Sequence, residues 1–300
     1  MNGVRFKKDI LFKYTASILS FLSALILFMI FSGLIFKSIP ILRQDNIISS
    51  IFSTEWMPLK GKFGLLSFIF STVVITSLSV LISFPLCLLS SIFLSEYAPK
   101  KAVYLADTIM DILAGLPSVI FGIWGIIIIV PIIRNYIAPF FNYSSAGYSI
   151  AAAAIVLAFM ITPVMTHLLF EIFQSVEDEL REAALSLGAT KWESIKFVVI
   201  KKSLPGIFAA VVLCISRAFG ETLAVLMVAG NSAKMPENIF SAGYPLPALI
   251  ANNYGEMMSI PLYDSALMLS ALFLFLIVTL FNVISKLILI KSYRKVSEFI

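Results

Sequence analysis

The feature that most constrains this chain is a stretch of 23 residues without a charge, from residue 14 to residue 36. At about 1.5 Å per residue, a helix of this length crosses a hydrocarbon core of about 30 Å. Similar apolar stretches recur along the 300 residues, of which 60% are hydrophobic and 13% are charged. The sequence therefore predicts an all-α polytopic membrane protein with six transmembrane helices. The later five spans are predicted at 67–94, 112–133, 147–170, 206–229 and 265–286.

The first apolar stretch follows four basic residues, as the core of a secretion signal also does. It is longer than the roughly 7 to 15 apolar residues of a signal core and no small-residue cleavage site follows it, so we expect an uncleaved anchor. The two cysteines, Cys87 and Cys214, lie within apolar stretches and lack metal-ligand spacing, and His167 is the only histidine. The sequence predicts no disulfide, no metal site and no cofactor.

Basic residues indicate how the predicted helices are oriented. Fifteen Lys and Arg residues fall in one set of alternate loops and six fall in the other set. The positive-inside rule then places residues 1–13, the loop 171–205 and the C-terminal tail in the cytoplasm. Residues 37–66 become an external loop, which could hold a small subdomain or a re-entrant start of the second span. Because the basic residues flank membrane spans, a nucleic-acid partner is not expected.

The loop 171–205 is rich in charge but keeps a helical pattern. Its apolar residues recur at i, i+3, i+4 and i+7 from Leu180, which predicts an amphipathic helix. Ser175 and Asp178 have the spacing of a helix start, and Gly188 can end the helix in the left-handed conformation.

A second short helix is predicted directly after this glycine, because Thr190 and Glu193 have the spacing of a capping box. The two helices would expose small side chains, and small side chains let another backbone come close. The simpler alternative is a solvated connector between two spans. A DNA-reading helix-turn-helix is set aside, because six acids against five bases between residues 171 and 202 suit phosphate contact poorly.

Two charged residues, Arg217 and Glu221, lie near the middle of the apolar stretch that predicts the fifth span. Facing lipid, each would cost at least about 2.5–3.5 kcal/mol, so we expect both to face protein or water. On a continuous helix, residues four apart share a face and can form an ion pair. The guanidinium fork suits a tetrahedral oxyanion, which predicts an anion pathway at Arg217 with Glu221 limiting the affinity. An ion pair that only fixes helix packing is the alternative.

A helix break is predicted around Gly115, Pro117 and Ser118, because proline removes a helix hydrogen bond. The break could line the substrate pathway or could allow tight helix packing. No GxxxxGK[ST] phosphate-binding loop and no HExxH zinc motif occur in the sequence. The chain is therefore expected to be a transport subunit without an ATP site of this kind, and not an enzyme.

Glu182, Ala183 and Ala184, followed after three further residues by Gly188, resemble the EAA motif of permease subunits in binding-protein-dependent ABC importers. Relatives often carry a Leu-Pro pair twelve and thirteen residues after this glycine. Here that pair falls later, at residues 204 and 205. The helix before the fifth span could therefore run longer than in those relatives.

Further stretches resemble the phosphate-specific permeases of the PstC and PstA type, and together they cover nearly the whole chain from about residue 50 to residue 290. They are FLSEYAP (93–99), LAGLPSVIFGIWG (113–125) and SRAFGETLAVLMVAGN (216–231), with STEWMP (53–58) closer to the PstC type.

This resemblance implies a type I ABC importer permease fold over residues 67–290, with 171–205 as the cytoplasmic coupling-helix loop that contacts the ATPase. It implies phosphate transport across a prokaryotic cytoplasmic membrane by alternating access. The implied partners are a second, PstA-like permease, a PstB-like ATPase dimer, a PstS-like external phosphate-binding protein and the lipid bilayer. Three alternatives stay open: a PstA-type partner permease, a permease for sulfate, molybdate or tungstate, and an ion-driven secondary anion transporter.

Overall fold

The computed structural model describes residues 2–43, 51–256, 260 and 262–297, so the predicted external loop 37–66 lies partly outside the described residues. Six of the described helices are long and apolar enough to cross a membrane. The elements in chain order are α1 (Asn2–Leu42), β1 (Trp56–Met57), β2 (Lys62–Phe63), α2 (Leu66–Glu96), α3 (Lys100–Gly115), α4 (Ser118–Phe140), α5 (Ile150–Gln174), α6 (Asp178–Ser186), α7 (Lys191–Phe219), α8 (Leu223–Val228), α9 (Leu246–Asn253) and α10 (Tyr263–Ser297). The membrane-length helices are α1, α2, α4, α5, α7 and α10, which confirms the predicted six-span all-α architecture.

The centre of the bundle is α5, of which 67% of the most apolar window is buried. Its main partner is α2, and α2 presents small side chains to the interior. Ser79, Ser83, Cys87 and Ser91 recur every four residues, and each is fully buried. The Ser91 hydroxyl donates to the Cys87 carbonyl oxygen at 2.7 Å, within its own helix. Small side chains at this spacing allow two membrane helices to approach closely, so the stripe explains why these two helices pack together.

The first helix, α1, lies at the periphery. None of its most apolar window is buried, and it contacts the bundle mainly along α10. Phe31 stacks on Phe275 with ring centroids 5.6 Å apart, and Lys37 Nζ lies 3.5 Å from an Asp264 carboxylate oxygen. An apolar helix with so little protein contact is suited to lipid or to another subunit.

One end of the bundle is closed by an aromatic cluster around the β1–β2 hairpin. Trp56 packs edge-on against Phe63 and Phe68 and also contacts Tyr263 at the start of α10. The hairpin turns at Gly61, which has a φ of +69°. The described part of the predicted external loop therefore contains a small folded unit.

The third span starts later than predicted. The predicted range 112–133 is divided, because α3 ends at Gly115 and the membrane-length helix α4 begins only at Ser118. Leu116 and Pro117 are extended, with ψ values of 135° and 137°. The cause is Pro117, which lacks a backbone N–H and excludes the helical conformation for the residue before it.

The fifth span differs more from the predicted range 206–229. The capping box at Thr190 is present, but the helix it starts is not short: α7 runs from Lys191 to Phe219 and contains Pro205. Residues 200 and 201 carry no proline, so nothing stops the helix there. The predicted separate second loop helix is thus the beginning of this span, and the span ends before residue 229.

The predicted cap at Ser175 was also wrong. Ser175 closes α5, and its hydroxyl donates to the Ile172 carbonyl oxygen at 2.7 Å. The following helix α6 begins at Asp178 without a side-chain cap. The hydroxyl therefore serves the helix that ends there, and the acids in the first turn of α6 complement its dipole.

The small-residue stripe on α2 gives a direct stability test, because two neighbouring serines differ in burial. Ser91 is fully buried and Ser90 is exposed. We expect Ser91→Leu to destabilise the isolated chain in detergent by about 1–3 kcal/mol through overpacking. Ser90→Leu is the matched control, and its thermal midpoint should stay close to that of the unsubstituted chain. Equal midpoints for the two variants would contradict the close packing of α2 on α5.

Candidate functional site

The fifth membrane helix is broken beside its charged residues. α7 ends at Phe219, residues Gly220 to Thr222 are irregular, and the short helix α8 follows. The last turn tightens, since the Gly220 N–H donates to the Arg217 carbonyl oxygen at 3.1 Å. Irregular backbone at membrane depth is tolerated where it is buried in protein or lines a water-filled cavity. The break therefore marks a place where lipid is excluded.

The break corrects the predicted relation between Arg217 and Glu221. The prediction assumed one continuous helix, but Glu221 lies beyond the end of α7, so the two side chains do not follow helical i,i+4 geometry. Among the described residues, no ion pair and no hydrogen bond involves the Arg217 side chain. Both residues nevertheless face the same cavity.

This cavity, here called the arginine cavity, has a volume of about 470 Å³ and lies where α5, α7 and α10 meet. Arg217 is exposed and Glu221 is half-buried. The lining residues are Val164, Leu213, Cys214, Ser216, Arg217, Gly220, Glu221, Val278 and Asn282. A charged donor, an acid and an amide thus share one space that is otherwise walled by apolar side chains.

The depth of this cavity follows from a contact between α7 and α10. The Ser216 hydroxyl donates to the Val278 carbonyl oxygen at 3.3 Å, and Val278 lies near the middle of the apolar stretch Tyr263–Ile290. Arg217 is the next residue after Ser216. The guanidinium therefore starts from the middle of the membrane span, where an unsolvated charge is most costly.

Asn282 is a polar residue of this cavity that the sequence reasoning missed. It is exposed on α10, one turn beyond Val278, and no hydrogen bond is formed by its amide among the described residues. Its sequence signal was a lone amide inside an apolar helix. Polar side chains in membrane spans are rare and usually functional, so Asn282 could have been predicted as a site residue. Its amide can both donate and accept a hydrogen bond.

The composition of the arginine cavity decides what it can bind. A guanidinium presents five N–H donors in a planar fork and stays charged, which suits an oxyanion. A larger cavity of about 790 Å³ lies between α2, α7 and α10, but it is lined almost entirely by aliphatic and aromatic side chains. The larger cavity offers an anion only the hydroxyls of Thr76 and Ser77 and no cationic donor, so the arginine cavity is the better candidate for a polar substrate.

The short helix α8 beyond the break is held by the glycines of α4. A Cβ added at Gly125 would lie 2.6 Å from Val156 Cγ2 and 2.9 Å from Val228 Cγ1. A Cβ at Gly122 would similarly collide with Met227. These two glycines therefore allow α4 to contact both α5 and α8 closely, and they keep the broken segment in place.

The predicted break residues Gly115, Pro117 and Ser118 do not line the arginine cavity. They form the connection between α3 and α4. A Cβ at Gly115 would meet no atom within 4 Å, so close packing does not require this glycine. Their predicted role in the substrate pathway stays a prediction without a contact that supports it.

The predicted coupling residues lie together on α6 and the turn after it. Glu182 and Ala183 are exposed, and Ala184 is half-buried. Gly188 adopts a φ of +86°, as the predicted left-handed helix end requires. The turn is fixed on its other side by the capping box, in which the Thr190 N–H donates to a Glu193 carboxylate oxygen at 2.8 Å. The result is an exposed small-residue surface on a rigid turn.

Arg181, directly before these residues, anchors α6 to the bundle and was also missed. Its guanidinium donates to a Glu96 carboxylate oxygen at 3.0 Å and to the Phe173 carbonyl oxygen at 2.8 Å. This ion pair joins the loop to the end of α2, where Glu96 is the last residue. No sequence spacing could reveal it, because the partners are 85 residues apart.

The other polar candidates form no site. His167 Nε2 lies 3.3 Å from a Glu171 oxygen on the same helix, and it is partly exposed. Within the described residues, no group of three or more His, Cys, Asp or Glu side chains could hold a metal ion. Cys87 and Cys214 are free and buried.

A family model now gives this arrangement a context. Residues 88–296 match the model described as "Binding-protein-dependent transport system inner membrane component". The chain belongs to this family. The matched range runs from the middle of α2 through α10, so it includes the arginine cavity and the α6 surface. The permease is therefore a multi-pass membrane subunit of an ABC-type transport system, a kind of subunit that lacks an ATP-binding domain.

Individual relatives cover most of the permease. It is 35% identical over 262 residues to "Phosphate transport system permease protein PstC" of Xylella fastidiosa, a match covering 83% of this chain and 80% of that protein. It is 34% identical to "Probable phosphate transport system permease protein PstC" of Methanocaldococcus jannaschii, covering 86% and 87%. The PstC of Haemophilus influenzae is 30% identical, with 95% and 94% covered.

Solved structures agree on the fold. Two crystal forms of the MetNI methionine ABC transporter, in inward-facing conformations, match with TM-scores of 0.56 and 0.51 at 18% identity. The first match covers 78% of this chain and 99% of the solved chain. At this identity the likeness concerns the fold alone, and it confirms the predicted ABC importer permease fold.

Proposed function

We propose that the permease carries inorganic phosphate through the membrane as one subunit of an ATP-driven importer. The observation that carries the proposal is the position of Arg217, whose guanidinium has no partner among the described residues and faces the arginine cavity at the helix break. Relatives named as phosphate permeases match over most of the chain, which supports phosphate as the oxyanion. Methionine, the substrate in the name of the structural match, has no bearing on this choice.

In this proposal Arg217 binds phosphate oxygens while Asn282 offers a further donor. Charge-assisted hydrogen bonds to a guanidinium are among the stronger polar contacts in proteins. Glu221 faces the same cavity and repels anions, which keeps phosphate from binding too tightly to leave. The two carboxylate oxygens also accept hydrogen bonds, so Glu221 favours an anion that carries a proton.

Transport requires that the cavity open alternately to each side, and the energy for this comes from a separate ATPase. The exposed surface of Glu182, Ala183, Ala184 and Gly188 is the proposed contact with that ATPase. We place this surface and both termini in the cytoplasm and the chain in the prokaryotic cytoplasmic membrane. The proposed partners are a second permease of PstA type, a PstB-like ATPase dimer and a PstS-like external phosphate-binding protein.

Replacement of Arg217 tests the substrate site. Loss of one charged hydrogen bond, about 1.5–3 kcal/mol, should lower phosphate uptake roughly 10- to 150-fold in Arg217→Ala. Arg217→Lys should recover part of the uptake, because it keeps the charge but loses the fork. Uptake of labelled phosphate into vesicles containing the assembled complex is the measurement, with sulfate, molybdate and tungstate as competitors. Arg134→Ala, on α4 and away from the cavity, is the control.

The phosphate proposal is contradicted if both Arg217 variants assemble normally and transport phosphate at the rate of the unsubstituted complex. If one of the competing oxyanions is taken up in preference to phosphate, the cavity keeps its role but the substrate changes.

Replacement of Gly188 tests the coupling surface separately. A Cβ there meets no neighbouring atom, so Gly188→Val acts only through the left-handed backbone, which a β-branched residue resists. We expect the variant chain to reach the membrane but to co-purify with much less ATPase. Ser186→Ala, at an exposed position on α6, should co-purify with ATPase as the unsubstituted chain does. Full ATPase recovery with Gly188→Val would remove this turn from the interface.

A further inference from the structure

Arg181 uses all five of its N–H donors. The Nε–H and one N–H of Nη2 donate to the Glu96 carboxylate, and the other N–H of Nη2 donates to the Phe173 carbonyl oxygen. The Nη1 group donates to the Val176 carbonyl oxygen and to Asp178. Guanidinium is the only side chain that offers five donors in a fixed plane. The side chain is therefore fitted to one position and one orientation.

These bonds join three separate elements. Glu96 is the last residue of α2, Phe173 lies in the last turn of α5, and Arg181 belongs to α6. The last carbonyl groups of a helix lack intrahelical donors and carry partial negative charge, so a cation is favourable there. The guanidinium thus links α6 to the ends of two membrane helices, and these two helices form the most closely packed pair of the bundle.

Burial distinguishes the important partner from the incidental one. The Glu96 side chain is 8% exposed and the Arg181 side chain is 17% exposed, whereas the Asp178 side chain is 90% exposed. A carboxylate at a helix C-terminus is opposed by the helix dipole, and burial makes its charge still less favourable. Glu96 therefore needs the guanidinium, while Asp178 can be replaced by water.

A second contact lies beside this one. Lys191, the first residue of α7, places its ammonium 4.5 Å from the ring centre of Tyr97, directly after α2. Both helices that flank the Gly188 turn are therefore attached to the end of α2. These contacts hold α6 and the Gly188 turn against the membrane helices at both ends of the turn.

From these contacts we propose that Arg181 is a positioning residue for energy coupling. It fastens α6 to α2 and α5, so that a displacement of α6 by the ATPase moves these membrane helices with it. The inference rests on the proposed function, because it takes the α6 surface to be the ATPase contact. Arg181 touches neither phosphate nor ATP, and its role is mechanical.

The test uses the whole complex with Arg181→Ala, Arg181→Lys and Glu96→Gln. Glu96→Gln keeps the shape and the acceptor oxygen, so it provides a variant that folds if Arg181→Ala does not. Asp178→Asn is the matched control, since it alters the exposed partner of the same guanidinium. Two quantities are measured: the distance distribution between spin labels at Ser186 and Ser90, both exposed, and the phosphate taken up per ATP hydrolysed.

We expect one narrow distance in the unsubstituted complex and in Asp178→Asn, and a broad one in the other three variants. Uptake per ATP should fall roughly tenfold or more when the buried pair is broken, while hydrolysis itself continues. Arg181→Lys should recover only part of this loss, because three donors cannot make five bonds.

The proposal is overturned if Arg181→Ala and Glu96→Gln keep the narrow distance. It is also overturned if the distance broadens but uptake per ATP stays at the unsubstituted value. Failure of the proposed function has a different signature, because then the unsubstituted complex itself would hydrolyse ATP without moving phosphate. The distance distributions still decide, in that case, whether Arg181 holds α6 to the spans.

Discussion

The arrangement of the permease depends on one electrostatic constraint, an arginine that stays charged in the middle of a membrane-spanning structure. Lipid cannot solvate Arg217, so the surrounding helices must leave it a polar space. The helix that carries it ends within one turn, and the irregular residues after it face the same space. Gly122 and Gly125 then let α4 approach and hold the short helix α8 beyond the break.

A second arginine in the same chain shows how a guanidinium is held when it joins helices to one another. Arg181 is mostly buried and every donor of its guanidinium is used within the protein. The guanidinium of Arg217 is exposed to a cavity and has no partner among the described residues. Donors that are already used fix a structure, while donors left open toward a cavity can take a ligand. This contrast is the physical basis of the two proposals, substrate binding at Arg217 and mechanical linkage at Arg181.

Local patterns in the sequence predicted much of this structure. The six apolar stretches, the left-handed Gly188 and the capping box of Thr190 and Glu193 each depend on a few neighbouring residues, and all are present. Competition between local signals caused the wrong predictions for the cap at Ser175 and for the start of the fifth span. Ser175 could cap either of two helices and closes the earlier one. The start of α7 at residue 191 is hidden because a polar first turn continues directly into an apolar span.

Long-range contacts explain the residues that the sequence reasoning missed. The Arg181–Glu96 pair joins residues far apart in sequence, and Asn282 meets the arginine cavity from a different helix. Apolarity alone also suggested that α7 continued past Arg217. The end at Phe219 depends on how α4 supports α8, which no single segment encodes.

The central claim is that Arg217 creates a water-filled, anion-attracting cavity, and chemical labelling at Asn282 tests it most directly. Both native cysteines are fully buried, but Cys214 lines the same cavity, so Cys214→Ser is included in every variant. A cysteine at position 282 can then be labelled alone, with the buried Ser285→Cys as control. Unit charges 4 Å apart interact by about 1 kcal/mol in water, which attracts an anionic thiosulfonate and repels a cationic one. The anionic reagent should therefore react with Asn282→Cys roughly 30-fold faster than the cationic one. Arg217→Ala leaves Glu221 as the charge of the cavity and should reverse the preference, and phosphate should slow the reaction in the unsubstituted background. Equal rates for the two reagents, or no reaction at position 282, would contradict the account.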